Sequence, residues 1–270
     1  MGLQSKKILG IDIIVSQHDI ILEEIEKYLE KSKIQNPKSK KYGVKPLVIY
    51  TPNPEIINFA QKNDNFKQLV NSAQINIPDG QGVVWALKKK YGLKIKQISG
   101  VDMMMDLAKL CYDMGFTVGL IGGKTGVALK TRECLLEKYP DLKIEVIKSP
   151  EVVSKKEARN TNYESRSNKA DNESVNLISC FPAYAGKLIL NSNGKYDKNS
   201  EKYFLNLAKE IQSKRIDILF IALGCPKQEY FIDRITNYEL RIKNRKPLVM
   251  MSVGGAFDYL SGRIPRAPKW

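Results

Sequence analysis

Histidine is almost missing from this chain: His18 is the only one in 270 residues. With one imidazole there is no His cluster for zinc, and no Ser–His–Asp or His–Cys constellation is signalled. His18 therefore reads as a structural or surface residue. Cysteine is scarce too. Cys111, Cys134, Cys180 and Cys225 are scattered without a Cys-x-x-Cys pair, which argues against a zinc site or disulfide framework and suits a reducing cytoplasm. Asp-x-Asp occurs nowhere, so the usual metal-bridged hold on a nucleotide diphosphate is not signalled, and neither a metal nor a cofactor is expected. No apolar run approaches the roughly 18 residues that cross a bilayer. The stretch Ile8–Val15 is short and holds Asp12, and no leader with a long uncharged core precedes it.

Positive charge, by contrast, is in excess. Lys plus Arg number 44 against 29 Asp plus Glu, a formal net charge of +15. Such a balance favours anionic partners, whether nucleic acid, anionic lipid or phosphorylated substrates, and does not choose among them. Runs such as Lys38–Lys41 and Lys88–Lys90 read first as solvated helix faces or loops.

Short β-rich runs alternate with amphipathic stretches. The pattern predicts strands over Lys7–Val15, Pro46–Tyr50, Gln74–Ile77, Thr117–Ile121, Leu142–Ile147, Asp217–Leu223 and Leu248–Val253. It predicts helices over Asp19–Lys31, Pro54–Lys62, Gly82–Tyr91, Val101–Met114, Thr125–Tyr139, Glu201–Lys214 and Lys227–Tyr238. The expected fold is α/β, a Rossmann-like, mostly parallel sheet with helices on both faces, in one domain spanning 1–270. Within it, Ser154–Ser174 is polar and mixed in charge and reads as a surface insertion, inside a region near 150–200. Met103–Met105 and Met250–Met251 read as core packing.

Ligands of such sheets bind beyond the carboxyl ends of the strands, so the turns after the strands are where chemistry is sought. After Tyr50 comes Thr51-Pro52-Asn53-Pro54, where Asn53 suits an N-cap and Thr51 is left to face a crevice. After Ile77 comes Pro78-Asp79-Gly80-Gln81-Gly82. Asp79, beside a helix start, is either a plain N-cap or an ionised carboxylate able to accept a proton from an attacking sugar hydroxyl. After Ile121 comes Gly122-Gly123-Lys124-Thr125-Gly126. It misses the Walker A spacing, because position 118 is Val118, and it misses the dinucleotide Gly-x-Gly, but its amides could hold a pyrophosphate. Gly224-Cys225-Pro226-Lys227-Gln228 follows Leu223, and Gly254-Gly255-Ala256-Phe257-Asp258 follows Val253, with Phe257 placed to face a base or sugar.

These blocks resemble the WecG/TagA/CpsF family of bacterial glycosyltransferases. The resemblance rests on TPNPEIINFA, IPDGQGVVWALK, ISGVDMMMDL, VGLIGGKTGVA, DILFIALGCPKQEYFI and VGGAFDYLSGRIPRAPKW, in the family's order. It implies an inverting transfer of N-acetylmannosamine, or its uronic acid, from a UDP-sugar to N-acetylglucosamine on undecaprenyl diphosphate, in teichoic acid, capsule or a related cell-surface polysaccharide. Asp79 matches the family's proposed base, Thr51 and Asn53 match polar residues of the same pocket, and Gln228 matches the amide of the family's APKQE-like motif. Gly122, Gly123, Gly224, Gly254 and Gly255 match turns around the nucleotide, and Lys124 and Lys227 are the cations nominated for the departing diphosphate. The implied setting is the inner face of the cytoplasmic membrane, with an anionic lipid surface as partner, no nucleic acid and room for a homo-oligomer.

The chain departs from the family in places. Gln97, beside Lys96, stands where the family carries Arg, so Lys96 or another cation is needed to compensate. The 147–199 region carries the polar insertion, and after Trp270 the family's basic membrane-seating appendage does not follow, leaving Arg263, Arg266 and Lys269 as the approach to lipid. An NAD(P)-binding oxidoreductase is the alternative enzyme and conflicts with the broken fingerprint. A nucleic-acid-binding protein is the alternative drawn from charge alone.

Overall fold

The computed structural model describes residues 2–34, 44–154, 187–191, 194–196, 200–242 and 246–265. The polar insertion from Ser154, Cys180, Arg266 and Lys269 lie outside these, apart from the end of one strand at Ser154.

The chain opens with β1 (Ser5–Ile8) and β2 (Ile11–Ile14), which pair antiparallel. The single strand expected over Lys7–Val15 is thus corrected to a hairpin. Leu9 and Gly10 both adopt positive φ, 47° and 79°, the backbone that a two-residue hairpin turn demands. Then come α1 (His18–Ile34), β3 (Leu47–Tyr50), α2 (Pro54–Gln61), α3 (Asp64–Asn71), β4 (Ile75–Asn76), α4 (Gln81–Tyr91) and α5 (Gly100–Met114). Next are β5 (Thr117–Gly122), α6 (Val127–Lys138), β6 (Lys143–Val146), β7 (Glu151–Ser154) and β8 (Lys187–Leu190). The last described elements are α7 (Ser200–Ser213), β9 (Ile218–Ala222), α8 (Lys227–Glu239), β10 (Val249–Ser252) and α9 (Ala256–Leu260). Helix α3 was not expected. Its signal is Asn63, which breaks from α2 and caps α3 by accepting the Phe66 amide at 3.0 Å.

Six strands form one sheet in the order β4-β3-β10-β9-β5-β6, every pairing parallel. The fold is Rossmann-like α/β, as the alternation of elements predicts. Successive strand residues serve opposite faces, the two-residue period of an extended chain. Val48, Tyr50, Leu219, Ile221 and Met250 pack with α2, α3, α4, α7 and α8. Leu47, Ile49, Ile218, Phe220 and Met251 pack with α1, α5, α6 and α9. Met103, Met104, Met250 and Met251 are fully buried, in keeping with core packing. β7 and β8 pair parallel in a separate small sheet.

Strand order decides where a site can form. With β10 inserted between β3 and β9, the turns leaving β4, β3, β10 and β9 are neighbours at one edge. The turn leaving β5 stands beyond β9.

Candidate active site

Those neighbouring turns wall a cavity of about 1090 Å³. Its first wall is the turn after β3. Asn53 caps α2 by accepting the Ile56 amide at 2.9 Å, and Pro54 occupies the first helical position, where no amide hydrogen is needed. Thr51, 6% exposed, lines the cavity. The turn after β4 is held against this one. The Ile77 amide donates to the Tyr50 carbonyl at 3.0 Å and the Asp79 amide to the Pro52 carbonyl at 3.3 Å. A Cβ at Gly82 would meet Pro54 Cγ at 2.8 Å, so only glycine lets the two turns come this close.

Asp79 is thereby set on the cavity wall, half-buried. Burial raises its carboxyl above the ordinary range, which hydrogen bonds from Gln97 and from the Gly100 and Gly80 amides oppose, while the charge of Asp102 adds to the rise. The Gln97 amide donates to Asp79 Oδ1 at 3.4 Å, and its oxygen accepts from Gln81 Nε2 at 2.9 Å. Helix α5 starts at this spot, capped by Ser99, whose hydroxyl accepts the Asp102 amide at 3.1 Å. The carboxylate therefore sits at two helix starts, α4 and α5, whose amide dipoles favour its ionised form.

The opposite wall comes from β9 and β10. Gln228, 2% exposed, spans them: its oxygen accepts the Gly254 amide at 3.1 Å, and its nitrogen donates to Glu229 Oε1 at 2.9 Å. Glu229 is buried, and desolvation pushes its carboxyl up to about 7 against the pull of the Gln228 and Cys225 hydrogen bonds. Its other oxygen, Oε2, has no hydrogen-bond partner. The protonated acid is the form such a pocket tolerates. Cys225 lines the cavity, and its thiol is pushed up by burial and by Glu229.

Of the residues nominated from sequence, Thr51, Asn53, Asp79, Gly224, Gln228, Gly254 and Gly255 share this one cavity. Gly122, Gly123, Lys124, Lys227, Phe257 and Asp258 are not on its wall. The physical reasons differ. Gly122, at φ 111°, presses its backbone on Ala222, where a Cβ would strike the Ala222 carbonyl, so this glycine serves strand packing. Lys124 is exposed beyond β9. Phe257, 1% exposed, packs in the core beside Gly123 instead of facing a ligand. Two residues on, Tyr259 lines the cavity. Asp258 pairs with Arg263 at 2.7 Å. Among the described residues Lys96 is the one cation lining the cavity, and no group of three His, Cys, Asp or Glu side chains is placed to hold a metal. Sequence reasoning missed Gln81 and Ser99 as wall residues and Glu229 behind Gln228. It flagged Gln97 as a departure without locating it at Asp79.

Comparison with known proteins gives a consistent picture. The profile of the Glycosyl transferase WecG/TagA/CpsF family matches residues 7–178 and 181–270. Similar curated proteins include the N-acetylglucosaminyldiphosphoundecaprenol N-acetyl-beta-D-mannosaminyltransferases of Staphylococcus aureus strains MRSA252, NCTC 8325 / PS 47 and COL. Each is 23% identical over 261 residues, covering 97% of this chain and 77% of the relative.

Proposed function

This chain belongs to the WecG/TagA/CpsF family of glycosyl transferases, and on that premise we propose that it moves an N-acetylmannosaminyl unit, or a related N-acetylhexosamine, from UDP to N-acetylglucosaminyl-diphosphoundecaprenol. The acceptor is the one carried in the names of its Staphylococcus aureus relatives. The observation that carries the reading is Asp79 on the wall of a cavity shared with Thr51 and Gln228.

In the proposed reaction the acceptor hydroxyl attacks the anomeric carbon from the side opposite the diphosphate. The new C–O bond forms as the bond to UDP breaks, and configuration inverts. Asp79 accepts the hydroxyl proton, and the bonding electron pair leaves on the UDP oxygen. The charge developing there is met by Lys96 and by the backbone of the Gly224 and Gly254–Gly255 turns. Lys96 thus takes the place assigned from sequence to Lys124 and Lys227. Gln228, held at both ends of its amide, fixes the spacing of the β9 and β10 turns. A nucleotide-sugar donor places the reaction on the cytoplasmic side of the membrane that carries the acceptor.

The test offers several UDP-N-acetylhexosamines to a lipid-diphosphate N-acetylglucosamine analogue and follows UDP release with disaccharide-lipid formation. Transfer from UDP-N-acetylmannosamine is expected. No transfer from any donor, with tight NAD binding in its place, would overturn the proposal.

A further inference from the structure

Part of the cavity wall is built by α4 and the segment that follows it. From Gly80 to Val101 the sequence holds Lys88, Lys89, Lys90, Lys94 and Lys96 and not one Asp or Glu. Val83 and Leu87 are buried in the core, and Gln81 and Val84 belong to the cavity wall. Trp85 and Lys88, each four residues beyond Gln81 and Val84, carry that side of the helix on past the cavity, with Lys89 next to Trp85.

That face is bare. Trp85 is 65% exposed, and both lysines are exposed. Lys90 is used otherwise, donating to the Lys7 carbonyl at 3.1 Å and lying over the Tyr91 ring at 5.1 Å. Gly92 ends the helix in the left-handed conformation, and the chain returns along it until Gln97 meets Gln81 at the helix start. On the way it leaves Lys94 exposed and sets Ile95 and Lys96 on the cavity wall. One continuous unit therefore joins an exposed indole, charge of one sign and the cavity wall.

We propose that the α4 face formed by Trp85, Lys88 and Lys89, with Lys94 beside it, is a docking surface for an anionic lipid bilayer. It would set the cavity mouth against the membrane that carries the acceptor. The proposal rests on the lipid-linked acceptor named above. Its physical basis is complementarity. An indole is amphipathic and settles at the boundary between headgroups and water. Lysines on one side of a helix are drawn to the negative surface potential, with no carboxylate in this stretch to oppose them. Their stems lie along apolar material while the ammonium groups stay hydrated. A nucleic-acid track would instead need stacked aromatic platforms along a groove, and this face offers a single ring.

The experiment compares the full chain with Trp85→Ala and with Lys88→Glu/Lys89→Glu in sedimentation with vesicles of phosphatidylcholine alone or mixed with phosphatidylglycerol. The parent chain should sediment with the mixed vesicles and far less with phosphatidylcholine. Each variant should lose about tenfold or more of that binding. In a Trp270→Phe background, Trp85 emission should shift to the blue on mixed vesicles. Transfer to a short-chain, water-soluble acceptor should be unchanged in both variants, while transfer to long-chain acceptor embedded in mixed vesicles falls in step with binding.

Vesicle binding equal to the parent's in both variants overturns the proposal. So does a defect confined to duplex DNA binding or to self-association. Sedimentation needs no turnover, so the two claims separate. A chain inactive on every acceptor whose vesicle binding still depends on Trp85 and the lysines would sink the transferase reading and keep the docking face. The converse result would do the opposite.

Discussion

At the scale of single residues, the environment of Asp79 sets a pH dependence. In its proposed role as base Asp79 must be ionised, and burial holds this carboxyl above the ordinary range while Gln97 pulls it back down. Gln97→Ala removes the pull, so the acidic limb of the kcat/KM profile should move to higher pH, with the alkaline side little changed. An unmoved limb would show that Gln97 does not act on the base. Glu229 yields a stability prediction of definite sign. Its carboxyl rises from 4.5 to about 7 on folding, so the folded chain holds the proton more tightly than the unfolded one. The stabilisation is full below the unfolded value and is lost as pH climbs through about 7, on the order of 3 kcal/mol at roughly 1.4 kcal/mol per pKa unit. Glu229→Gln should abolish most of that decline, read as Tm between pH 5 and 8. Asp79 was legible in sequence because a carboxylate after a strand and before a glycine turn is an unusual placement. Glu229 was not, since nothing in the sequence says that two adjacent polar residues at a helix start are both buried.

At the scale of elements, the turns do two jobs at once, and this is where sequence and structure part. Asn53 both caps α2 and stands on the cavity wall. Asn53→Ala should cost about 1 kcal/mol, and Asn53→Ser, which keeps an acceptor for the Ile56 amide, should restore most of it in urea unfolding. No recovery with serine would mean that capping is not what the residue contributes to stability. The glycines of Gly122-Gly123-Lys124 offer in sequence amides that could hold a pyrophosphate, yet Gly122 answers to the Ala222 backbone on the neighbouring strand. The requirement for glycine was legible, but its cause was not, because the pressing atom belongs to β9, 100 residues further along the chain. Phe257 and Tyr259 make the same point about α9. An aromatic near the Gly254–Gly255 turn was foreseeable, whereas its helical phase depends on which face α6 covers. The Thr131 hydroxyl, which reaches the Phe257 carbonyl at 3.3 Å, shows that packing.

At the scale of the whole molecule, the alternation of apolar runs specified parallel strands and two helical layers, but not the strand order. The order β4-β3-β10-β9-β5-β6 is what gathers the turns of β3, β4, β9 and β10 and leaves the β5 turn outside. That arrangement converts the separate polar turns into one cavity that both Asp79 and Gln228 line, with Gln81 and Val84 of α4 on its wall. The most direct measurement is transfer from UDP-N-acetylmannosamine to the lipid-diphosphate acceptor by the Asp79→Asn variant, alongside its affinity for UDP. A loss of transfer on the order of a thousandfold, with UDP binding within about twofold of the parent chain, is the predicted result for removal of a general base. Turnover that survives the substitution unchanged would contradict it.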